Sequence, residues 1–146
     1  MMDIKIGKPT NYESLKRDAN SKSDWRKRLA AVEELGNWKC RESIDILWHR
    51  MMSDKVYKVQ EVSFRKLQAF GEKVKLPRKK KGNLFKDIRS KLSKVKHSLP
   101  DGHTFENFKN EFGKRYPVEY DTYEGDKESR FDKWLENVWR ALPAKK

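Results

Sequence analysis

Apolar residues recur along most of this chain at intervals of three and four, the spacing of one face of an α-helix. After a lead-in, residues 1–9, with one short extended piece at 4–6, Tyr12, Leu15 and Ala19 open the pattern. Trp25, Leu29, Val32 and Leu35 continue it, then Ile44, Leu47, Trp48 and Met51, then Val56, Val59, Val62, Leu67 and Phe70. Farther on come Leu84, Phe85, Ile88, Leu92 and Val95, followed by Phe105, Phe108, Phe112 and Tyr116. A last helix over about 127–142 aligns Phe131, Trp134, Leu135, Val138, Trp139 and Leu142. That face is too large to leave wet, since burying each such side chain is worth about 1.5–3 kcal/mol. The stripes predict an all-α fold of about six to seven helices without a sheet. Ile46 falls nearly opposite its helix's stripe and reads as an exposed isoleucine.

Helix punctuation supports these boundaries. Thr10 and Glu13 form a T-x-x-E capping box, and Ser23 or Asp24 starts the next helix. Gly36 and Asn37 suit the left-handed conformation at a helix end, and Gly71 ends the helix that Ser53 and Asp54 cap. Pro77 and Gly82 forbid a helix through 72–83, and Asn83 can cap the one that follows. The turn Leu99, Pro100, Asp101, Gly102 is the expected boundary before a helix capped by Thr104 and ended by Pro117. Residues 117–126 read as an acidic, tyrosine-rich loop.

Two of the helices look like copies. Sliding the sequence by 32 residues sets Trp25 on Tyr57, Ala31 on Ser63, Leu35 on Leu67 and Trp38 on Phe70. A repeat one helical hairpin long is the signature of an α-solenoid. Asp24, Arg28, Ala31, Leu35 and Gly36 resemble the HEAT repeat, whose pattern is Asp before a helix, a basic residue, a small residue, Leu and Gly. In the second copy Gln60 stands in place of the Arg and Ser63 in place of the Ala. The resemblance covers about 23–98 and implies a short HEAT-like α-solenoid of helical hairpins that binds partners. Its second helices would line a concave face, which would place the helix of 84–98 there. Residues 10–98 would form the repeats, with 11–19 covering one end, and 99–146 a C-terminal helical hairpin docked on them. Together they would make one domain, 1–146, from which a fragment lacking 101–146 would fold poorly.

Length and composition narrow the class. At 146 residues the chain can bury a core without disulfides or metals, and the single Cys40 has no partner. A reducing setting, the cytoplasm or another reducing intracellular compartment, is expected, with neither a secretory leader nor a membrane span. The net charge of +13 is concentrated: residues 72–96 carry eleven basic against two acidic residues. Residues 97–146 carry nine against ten. A solubilising surface would explain a charge run, but a partner-facing patch explains its confinement to one stretch.

No catalytic or metal constellation stands out. The histidines His49, His97 and His103 are scattered, no paired Cys/His spacing occurs, and no glycine-rich phosphate loop is present. Cys40 reads as a small buried hydrophobe. Neither cofactor nor enzymatic activity is expected. HEAT-like alkylbase DNA glycosylases are also helical, basic and Trp-rich, but Trp25, Trp48, Trp134 and Trp139 fall on core stripes and no catalytic Asp can be placed. Two binding functions remain. In the first, Lys73, Lys75, Arg78, Lys79, Lys80, Lys81, Lys86, Arg89 and Lys94 contact the phosphate backbone of DNA or RNA, releasing counterions. In the second, the same charges steer an acidic protein partner to an adaptor. The lysine-rich loop beside a helix bearing serine and arginine favours nucleic acid.

Overall fold

A computed structural model describes residues 4–79 and 84–143. It is mainly α-helical, and the chain divides into two compact units, Met1–Lys79 and Lys80–Lys146.

The first unit holds α1 (Tyr12–Ala19), α2 (Trp25–Leu35), α3 (Arg41–Ser53) and α4 (Tyr57–Ala69). α1 packs on α2, α2 on α4, and α3 most extensively on α4. Two separate apolar clusters result. Tyr12, Leu15 and Ala19 meet Ala31 and Leu35 in one. Trp25, Val32, Leu47, Met51, Val56, Val59, Leu67 and Phe70 form the other. The expectation of no sheet needs a small correction. The lead-in forms a two-residue parallel bridge, β1 (Lys5–Ile6) with β2 (Trp38–Lys39). The Lys5 amide donates to the Asn37 carbonyl at 2.7 Å, and the Gly7 amide to the Lys39 carbonyl at 2.9 Å.

On α3 the stripe is rotated from its expected position. The fully buried line is Ser43, Leu47 and Met51, each four residues from the next. Trp48 is therefore turned outward and is 45% exposed, while Ile46, expected in solvent, packs on the Tyr12–Leu35 cluster. Cys40 is half-buried rather than part of the core, and its sulfur accepts the Ser43 amide at 3.4 Å as the cap of α3.

The caps differ from expectation as well. The Thr10–Glu13 box does not form; Asn11 precedes α1 without a side-chain cap. Asp24 does cap α2, accepting the Lys27 amide at 3.1 Å. Gly36 is right-handed, at φ −67°, and its lack of a side chain serves close packing instead. A Cβ there would lie 2.8 Å from Cβ of Lys66 on α4 and closer still to the rest of that side chain. Asp54 does not cap α4 as a helix-start residue. Buried at the α3–α4 turn, it accepts from Arg28 at 2.8 and 3.3 Å, from Arg50 at 3.1 Å and from the Val56 amide at 2.9 Å. Removing one member of such a buried group would leave uncompensated charge, at a cost of about 3–5 kcal/mol.

Just past the end of α4, Gly71 takes a φ of +91°, which only glycine adopts without strain. Residues 72–79 then carry no helix or strand, but they are not loose. Val74 and Leu76 pack on the larger cluster while Lys73 and Lys75 point outward. The segment begins beside Gln68, near the end of α4, and by Lys79 it has reached Tyr57, the first residue of that helix. It is a strap laid back along α4, in the stretch where Pro77 and Gly82 exclude a helix.

The second unit contains α5 (Ile88–Ser98), α6 (Phe105–Arg115), α7 (Pro117–Lys127) and α8 (Phe131–Ala141). Its core gathers Ile88, Leu92 and Val95 of α5 with Phe108, Phe112, Tyr123, Phe131, Leu135 and Leu142. α5 thus buries its stripe among the C-terminal helices, so packing groups it with 99–143 rather than with 10–79. Asn83 lies outside the described residues, and Asp87 occupies the start of α5. Thr104 caps α6 in a full capping box with Asn107. The expected loop of 117–126 is helical: Pro117 ends α6 and simultaneously opens α7 at its first position, where a missing N–H costs nothing. Asp121, Thr122, Tyr123 and Gly125 make its buried side. A 3₁₀ turn, Glu128–Arg130, leads into α8.

Candidate functional site

Four of the nine cations singled out from the sequence share the strap. Lys73, Lys75, Arg78 and Lys79 are all exposed. Their positions follow from local sequence: Gly71 reverses the chain, Val74 and Leu76 anchor it, and Pro77 keeps it from turning helical. The alternation of inward apolar and outward basic residues is that of an extended chain lying on a core. The strap borders a shallow open depression lined by Gln68, Gly71, Glu72, Lys73, Val74 and Lys75. At its far end the Lys79 ammonium stands 5.7 Å from the centre of the half-buried Tyr57 ring. Glu72, half-buried at the start, is the one acidic residue of the segment.

Lys86, Arg89 and Lys94 belong to the second unit, just before and along α5, and are exposed. Lys80 and Lys81 lie outside the described residues. The remaining lysines of α5 are engaged within the unit. Lys91 is hydrogen-bonded to Glu119 and pairs with Asp87 at 3.3 Å, and the Glu119 bond above all pushes its pKa up. Lys96 donates to the carbonyls of Trp139 and Leu142, each at 2.7 Å, neutralising the end of α8. His97, expected on the outward basic face, is half-buried with Nε2 3.2 Å from the Pro143 carbonyl.

The aromatic residues divide by unit. Trp134 stacks on Tyr123 at 4.7 Å and 8°, and Trp139 lies against His103, Phe105 and Phe108. The Trp139 indole N–H donates to Nε2 of His103 at 2.9 Å, which fixes that nitrogen as an acceptor. Burial raises the pKa of the Tyr123 phenol, whose oxygen accepts the Phe85 amide at 3.1 Å. These rings are structural. In the first unit Trp25 is buried, whereas Trp48 and Tyr57 retain accessible surface, a feature that the helical stripe concealed for Trp48.

Among the described residues no three His, Cys, Asp or Glu side chains come together to hold a metal ion. No described helix is long and apolar enough to cross a membrane. No family model, no curated protein and no solved structure matches the chain.

Proposed function

We propose that this protein is a non-catalytic nucleic-acid-binding module that grips phosphates with the cations of the strap. The observation that carries this reading is the anchoring of Val74 and Leu76, which holds Lys73 and Lys75 outward on a backbone already fixed. Four lysine and arginine side chains projecting from an anchored segment lose less entropy on meeting a polyanion than the same charges on a free tail. Each phosphate neutralised releases counterions, so binding is largely indifferent to sequence and sensitive to salt. Lys86, Arg89 and Lys94 supply further phosphate contacts from the second unit. The α2 and α4 copies, with Asp24, Arg28 and Gly36 in the first, support a HEAT-like stack for 10–79, a scaffold suited to binding rather than chemistry.

The test is fluorescence anisotropy with labelled duplex and single-stranded oligonucleotides at two salt concentrations. The comparison is a variant with Lys73, Lys75, Arg78 and Lys79 changed to Ser. Micromolar or tighter binding is expected, with a log–log salt slope of about −0.9 per phosphate on duplex DNA and about −0.7 on single strands. The variant should lose most of that affinity and flatten the slope. Absence of binding at low salt to either nucleic acid overturns the reading and leaves the adaptor for an acidic protein, for which the same cations would serve.

A further inference from the structure

Resting on that reading, we propose that the ligand of the strap is single-stranded nucleic acid, with the backbone laid along the cations and a base stacked on Tyr57. Two observations and one requirement of duplex geometry converge. The first is dimensional. Residues two apart on an extended chain are about 6.6–6.8 Å apart, so Lys73 and Lys75 form a single file matched to successive phosphates of one strand. The strap follows α4, which at 13 residues is about 20 Å long, so the file is a line and not a patch.

The second observation is the ring at the end of that line. Tyr57 is half-buried, so one part of it is held in place while the rest meets solvent. Lys79 stands over its face at 5.7 Å. A cation over a ring marks a face that is geometrically accessible to a planar partner. When the ammonium turns to a phosphate, a base can take the face that it leaves.

A duplex cannot use such a ring. Paired bases are stacked on one another and offer only their edges in the grooves, so an isolated ring face gains nothing from them. A base in a single strand has a free face, and aromatic stacking is the sequence-tolerant part of single-strand recognition. One row of cations with a ring at its end therefore discriminates in favour of a single strand.

The experiment uses the full chain and three probes at one salt concentration: a labelled single-stranded oligonucleotide, a duplex of the same length, and inorganic polyphosphate. Each probe is titrated against the native protein, Tyr57→Leu and Tyr57→Phe, with thermal unfolding confirming that both variants are folded. The single strand should bind about tenfold or more tighter than the duplex. Tyr57→Leu should weaken the single strand at least about fivefold, the lower end of stacking one base on an aromatic ring, and leave polyphosphate within about twofold. Tyr57→Phe, which keeps the ring, should restore single-strand affinity. Duplex binding as tight as single-strand binding overturns the inference while the phosphate-binding reading stands. So does an equal loss on polyphosphate, or failure of Tyr57→Phe to rescue. Binding of polyphosphate with no binding of either nucleic acid overturns the inference and the reading together.

Discussion

Ser63 shows how much a single side chain carries in the first unit. It is fully buried on α4, and its hydroxyl oxygen has no hydrogen-bond partner. In the copy, α2, the corresponding residue is Ala31, equally buried and with nothing to satisfy. An unpaired buried hydroxyl costs roughly 1–3 kcal/mol. Ser63→Ala should therefore raise stability by about 1 kcal/mol, read as a higher urea midpoint with an unchanged m-value. A lower midpoint would mean that the hydroxyl is satisfied by water. The substitution is visible in the sequence, where Ser63 stands in the small-residue position of the repeat, but its unpaired state is not. The opposite holds for Asp54. Its capping role is what a sequence suggests for an Asp before a helix, whereas its partners Arg28 and Arg50 come from 26 and 4 residues away and only folding assembles them.

At the level of elements, helices whose buried face is apolar were legible, and those built otherwise were not. α2, α4 and α6 show their stripes directly. α7 buries Asp121, Thr122 and Gly125 beside Tyr123, so it has no apolar period to read and its composition imitates a loop. The strap is anchored by just two residues at a spacing of two, too short a run to separate from chance alternation. Trp48 reads as buried because Ile44, Leu47, Trp48 and Met51 fit a helical stripe as well as Ser43, Leu47 and Met51 do; a small buried serine carries no hydropathy signal. Four of the proposed site residues lie together on the strap because they are near neighbours in sequence, but only the structure shows the backbone that holds them. Leu76→Ser tests whether that backbone matters. It should speed amide exchange across 73–79 and weaken oligonucleotide binding several-fold, although every cation remains. Unchanged affinity with faster exchange would show that charge alone is sufficient.

For the molecule as a whole, the most cationic stretch of the chain, 72–96, straddles the border between its two units. Each unit has its own core, the first in two clusters drawn from residues 12–70 and the second in one from 88–142. A chain ending at Lys79 should accordingly fold cooperatively and keep its far-ultraviolet helical signal, whereas a cut at 101 would divide the second core. A fragment 1–79 with no cooperative thermal transition would show that this core needs the rest of the chain. The strap, finally, is a segment that a protease meets early. Trypsin cuts after lysine and arginine in chain that it can draw out into its cleft, and Val74 and Leu76 resist that pull most where they are seated. Cleavage should thus favour Arg78 and Lys79 over Lys73 and Lys75, parting the polypeptide between its two units. A polyanion lying on the strap would cover those same bonds, turning the place of digestion into a footprint of occupancy.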